Sequence, residues 1–162
     1  LSELAGAVGE QVTREHGALA EEFARGDLDG FVGELAGELE VLSVGYSPSQ
    51  RILSKSGLME LFDELISESE LTDLRDVQEI VSDFEMLDER IEELMNFVPR
   101  GREPKVFVGK SPITKSPHLS VIADRFTSKG REYVVAAIGP KRMDYAENIK
   151  FFVTMKSVCG NN

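Results

Sequence analysis

Residues 133–145 read YVVAAIGPKRMDY, and this stretch sets the fold class. Tyr133-Val134-Val135-Ala136-Ala137-Ile138 is a short run of apolar and β-branched residues, which is the length and composition of a strand with little solvent exposure. Gly139-Pro140 ends it, because proline has no N–H to give a ladder and glycine tolerates the angles of a sharp turn. From Lys141 the spacing becomes helical, with Met143, Tyr145/Ala146, Ile149, Phe152/Val153 and Met155 at three- and four-residue steps. Pro140 is expected as the first helical residue, where a missing N–H costs nothing. The stretch therefore predicts a strand, a tight turn and a closing helix.

Working outward, period-two patterns precede it. Lys105-Val106-Phe107-Val108-Gly109 and His118 to Phe126 read as strands, separated by an irregular loop over residues 111–117. Ser128-Lys129-Gly130-Arg131 reads as a hairpin turn into the strand at Tyr133. Pro99-Arg100-Gly101-Arg102-Glu103-Pro104 separates this part from helices upstream. Leu74, Val77, Val81, Phe84, Leu87, Ile91 and Leu94 recur at helical steps and predict one helix over 73–97. Its stripe is close to a heptad seam, so it serves either as a dimer contact or as a cover for the domain's own sheet.

The first 48 residues predict two antiparallel helices. One carries Leu4, Val8, Val12, Leu19 and Phe23 with Ser2 as cap. The other carries Phe31/Val32, Leu35, Leu39 and Leu42 with Asp27 as cap. Residues 45–49 read as a loop, Arg51 to Ser54 as a short strand, and Gly57 to Ile66 as a further helix, with Thr72 capping the next. The expected fold is α+β: an acidic helical half, then a small, mostly antiparallel three-stranded sheet closed by a C-terminal helix. The expected division is a helical segment over 1–48 and an α+β domain over 50–158.

Net charge is −11, unevenly spread. Residues 1–98 carry 24 acidic and 6 basic side chains, whereas 99–162 carry 5 acidic and 12 basic ones. The C-terminal positives are scattered singly, without the interleaved aromatics of a nucleic-acid face, so DNA binding by this part alone is not expected. Two histidines and the lone Cys159 give no catalytic, metal or cofactor constellation, and no phosphate loop or nucleophile elbow occurs. No run is long enough to span a membrane. The single cysteine favours the cytoplasm, and Leu1 in place of an initiator Met suggests a piece of a longer chain. Arg142 and Asp144 could form an anion clamp at a helix start. The simpler account has Asp144 serving the helix dipole while Arg142 pairs with a carboxylate of the acidic half.

Ile138, Gly139, Pro140, Arg142, Met143, Asp144, Tyr145 and Ala146 also spell a motif. IGPKRMDYA resembles the signature near the C-terminus of the bacterial heat-inducible transcription repressors, the HrcA family. Val106-Phe107-Val108-Gly109, Leu119 to Ala123 and Phe126 are similar to that family's preceding strands, and the likeness extends over about residues 50–155. The sequence departs from the family at Lys110-Ser111-Pro112, where an acidic or amide residue is usual. The resemblance implies the GAF-like regulatory and dimerising part of a repressor whose winged-helix DNA-binding domain lies outside this chain. It also implies a homodimer, an inverted-repeat operator ahead of chaperone genes, and a chaperonin as modulator. The strands that open a GAF-like domain are not evident, so the domain is expected to be incomplete. The competing readings are a free-standing GAF-like ligand-sensing module and an acidic adaptor that binds proteins through its helices.

Overall fold

A computed structural model describes residues 27–101 and 103–160. The helix expected over the first 25 residues lies outside the described residues. The element order is α1 (Leu28–Leu39), β1 (Leu42–Ser47), β2 (Ile52–Ser56), α2 (Leu58–Ser67), α3 (Leu74–Glu85), α4 (Leu87–Met95), β3 (Lys105–Val108), β4 (Leu119–Ser128), β5 (Arg131–Pro140) and α5 (Tyr145–Gly160). All neighbouring strands are antiparallel, in the order β2-β1-β5-β4-β3. The α+β class is as the sequence indicates.

The run at 133–138 is continuous because β5 is the central strand and helices cover both faces of the sheet. Tyr133, Val135 and Ala137 point to one side and pack with Phe31, Val32 and Leu35 of α1 and Phe151, Phe152 and Met155 of α5. Val134, Ala136 and Ile138 point to the other, against Leu61 and Leu65 of α2, Ile80 of α3, and Leu87, Ile91 and Leu94 of α4. Alternation along β5 thus feeds two cores instead of one core and solvent. Each fully buried Leu or Ile of these layers contributes about 1.5–3 kcal/mol relative to exposure.

The sheet has five strands where three were expected: β2 corresponds to the short strand read at Arg51 to Ser54, and β1 was not expected. Residues 45–49 do not form a loop: Gly45, Tyr46 and Ser47 belong to β1, which pairs with β5 from Leu42↔Ile138 to Tyr46↔Val134. Leu42 is accordingly a strand residue and not the end of the preceding helix. A division between residues 48 and 50 would fall between β1 and β2, which pair with each other. The strand escapes notice because Leu42-Ser43-Val44-Gly45-Tyr46-Ser47 carries two serines and a glycine where a covered strand is normally apolar. Tertiary packing supplies the reason for Gly45. A Cβ there would come within 2.7 Å of Val32 Cγ2 and 2.8 Å of Leu28 Cδ1, so α1 rests directly on the strand backbone.

The helix expected over 73–97 is two helices, broken at Met86. Lys55 of β2 braces the break: its Nζ donates to the Phe84 carbonyl at 3.0 Å, meets Asp88 at 3.1 Å and lies over the Phe84 ring. Arg125 of β4 closes the far end of α4 by donating to the carbonyls of Met95 (2.6 Å) and Val98 (2.7 Å). A guanidinium suits a helix C-terminus, where carbonyls lack partners. The cap of α3 is Asp73, one residue after the expected Thr72, and it accepts the Asp76 N–H at 3.0 Å. The β4–β5 hairpin turns through Lys129 (φ 52°) and Gly130 (φ 76°), a pair of positive φ angles that matches the strand twist.

Candidate functional site

The signature residues form the joint between β5 and α5. Pro140 is not the first helical residue. It pairs with Leu119 as the last residue of β5, and α5 begins only at Tyr145. A proline is tolerated there because the Lys141 N–H donates to the His118 carbonyl on the β4 side. The N–H that Pro140 lacks would face the opposite side, where the pairing of β5 with β1 has already ended at Leu42↔Ile138. Met143 folds back beneath the turn, its Cε 3.0 Å from where a side chain on Gly139 would begin.

Asp144 caps α5 by accepting the Glu147 N–H at 3.0 Å. The Tyr145 hydroxyl donates to the Lys141 carbonyl and hydrogen-bonds Ser120 Oγ at 2.8 Å. Ser120 Oγ in turn accepts the Gly109 N–H at 3.2 Å, so Tyr145 ties the end of β5 to β4 and the loop after β3. Arg142 is exposed, and its Nε lies 3.7 Å from Glu70 Oε1 on the loop after α2.

Beside this joint runs a groove that the sequence did not announce. One part, about 670 Å³, lies between α3, α4 and the loop 109–118, and its lining includes Arg75, Asp76, Asp83, Arg90, Lys110 and Lys115. A second part of about 460 Å³ is lined by Glu70, Val108, Pro117, His118, Lys141 and Arg142. The two share Pro117 and His118.

Asp83 forms the floor. It is 3 % exposed, and it accepts from Arg90 Nη1 (2.8 Å) and from the N–H groups of Lys115 and Ser116 (2.9 Å each). Arg90 also donates to the Ile113 carbonyl at 3.1 Å. Three hydrogen bonds thus fasten the loop to α3 and α4, and the Arg90–Asp83 bond joins the two helices, which together offset the cost of removing a charged pair from water. Ser111 organises the same loop, its Oγ accepting the N–H groups of Ile113 and Thr114. At the junction of the two parts, His118 Nε2 lies 3.1 Å from Asp76 Oδ1 and Nδ1 lies 3.5 Å from Glu70 Oε2. Asp76 is held down at about 2, first by the Thr72 N–H, then by the Thr72 hydroxyl, with His118 adding a smaller effect against burial.

Of the proposed seam, Leu87, Ile91 and Leu94 are buried against the sheet. Val77, Val81 and Phe84 are half-buried, and Leu74 is 69 % exposed. Asp83, Arg90 and the His118 cluster escaped the sequence reading. Their signal was a carboxylate three residues after Ile80 and four before Leu87, on the helix face that turns inward. No described group of three or more His, Cys, Asp and Glu side chains could hold a metal ion. No described helix is long and apolar enough to cross a membrane.

The family model for the HrcA protein C terminal domain matches residues 4–149, and so takes in the sheet, the joint and the groove. The chain belongs to the HrcA family. That family consists of heat-inducible transcription repressors, and this HrcA-family domain is related to their regulation. No curated protein and no solved structure matches the chain. Within this HrcA-family domain the stretch IGPKRMDYA is the place where the central strand, the closing helix and the groove wall meet.

Proposed function

We propose that this domain is the regulatory and dimerising region of a repressor that silences heat-shock chaperone genes through an inverted-repeat operator. The observation that carries the reading is the HrcA family match over residues 4–149, together with a signature built into the sheet–helix joint. On this reading the five-stranded sheet and its helices are a GAF-like regulatory unit. The operator is read by a winged-helix domain of the parent protein, in the cytoplasm. A chaperonin modulates activity by acting on the folding of this part, and no cofactor or catalytic step is involved. A two-fold dimer matches a palindromic operator.

Self-association uses the helical layer. With Leu87, Ile91 and Leu94 spent on the core, the large apolar side chains that remain outward on this layer include Met59, Ile66 and Leu74. Sedimentation velocity is expected to give a dimer for the chain and a monomer for Leu74→Glu. A strict monomer at high concentration would remove the dimer from the reading. In a gel shift the isolated chain is expected not to bind an inverted-repeat operator, given its net charge of −11. Salt-sensitive, sequence-specific binding would show that DNA is read here. The second reading, a free-standing GAF-like ligand-sensing module, is favoured by the groove around His118.

A further inference from the structure

The groove beside the joint has the charge of an anion site in a chain that is otherwise strongly acidic. Its lining carboxylates are nearly all engaged. Asp83 holds Arg90 and two backbone N–H groups. Asp76 takes the N–H and hydroxyl of Thr72 and faces His118. Glu70 lies between His118 and Arg142. Of the lining cations, Arg90 and Arg142 are taken up by Asp83 and Glu70, and the other four are not engaged in the same way. Arg75, Lys110, Lys115 and Lys141 have no ion-pair partner among the described residues, and of the lining carboxylates only Glu79 stands ready to balance one of them.

We propose that this groove binds a small phosphorylated molecule carrying a diphosphate group, between Lys110 and Lys115 of the loop and Arg75 of α3. A concave site of about 670 Å³ fits a nucleotide-sized ligand. A flat basic patch would instead suit a nucleic-acid backbone. The loop that carries the two lysines is already fixed to the floor by Asp83 and knit by Ser111, so little ordering opposes binding. This inference stands apart from the repressor reading, because it requires only the groove.

The test is calorimetric titration of the whole chain, at low salt, with inorganic pyrophosphate and with ADP. Both are expected to bind, and the Lys110→Ala/Lys115→Ala double variant is expected to weaken both by tenfold or more. Lys150→Ala on α5, outside the groove, is expected to leave them unchanged. Tighter binding of ADP than of pyrophosphate identifies a nucleotide as the ligand class. Equal binding identifies the diphosphate group alone. No heat with either probe, or equal weakening by Lys150→Ala, would overturn the proposal. So would displacement of both probes by a single-stranded oligonucleotide that binds more tightly.

Discussion

Asp83 and Arg90, on opposite sides of the helix break at Met86, meet at 2.8 Å in a nearly dry site. The pair does more than join α3 to α4, because the same carboxylate fixes the backbone of Lys115 and Ser116. Removing Asp83 would strand a mostly buried guanidinium and two N–H donors. Asp83→Ala is expected to destabilise the domain by about 3 kcal/mol. Urea unfolding measures it. Arg90→Met added to Asp83→Ala should recover part of the loss, since the unpaired charge is gone. A loss under about 1 kcal/mol for Asp83→Ala would mean that the loop is anchored elsewhere.

Helix α1 and strand β1 touch through Gly45. Gly45→Val would drive its side chain into Leu28 and Val32. Expected is a loss of about 1–3 kcal/mol, or more if α1 is pushed off the sheet. Gly33→Ala is the control, since a Cβ there meets nothing within 4 Å. In a helix interior that change should stabilise by a few tenths to about 1 kcal/mol. Paired thermal melts distinguish the two outcomes, and similar behaviour of both variants would refute direct packing of α1 on Gly45.

Acid sensitivity should concentrate at Asp76. Its folded pKa, about 2, lies below the ordinary 3.8, so its ionised form is the one the fold prefers. The contribution is therefore fully present above about pH 4 and is lost as the pH falls through 2. Asp76→Asn should flatten the fall in stability across that window while leaving the slope between pH 5 and 7 alone. Glu64 works in the opposite sense. Burial first, and then the Glu40 carboxyl beside it, raises its pKa, so ionising Glu64 as the pH rises above 4.5 costs stability. Glu64→Gln should melt higher than the parent protein at pH 7. Parallel pH profiles for parent and Asp76→Asn would show that the Thr72–Asp76 contacts carry no linkage.

Local chemistry, read residue by residue, was enough for much of this domain. The apolar run 133–138 announces a strand with little solvent exposure, Lys129-Gly130 announces a hairpin, and IGPKRMDYA marks the family. Asp27 and Asp144 act at helix starts because a side-chain oxygen near free N–H groups is a short-range effect. The tertiary structure decided the rest. Pro140 could stay in the strand only because the pairing of β5 with β1 ends at Leu42↔Ile138, a fact about a neighbouring strand about a hundred residues away in sequence. β1 looked like a loop because its glycine answers to α1 and not to the sheet. The helical stripe at 74–94 could not say which side faces inward, since a heptad seam and an ordinary buried face share one period. Packing chose Ile80, Asp83, Leu87, Ile91 and Leu94, and placed a carboxylate where Arg90 and the loop 109–118 could satisfy it. The groove exists only through that long-range closure, because its cations and carboxylates come from segments that sequence spacing cannot bring together.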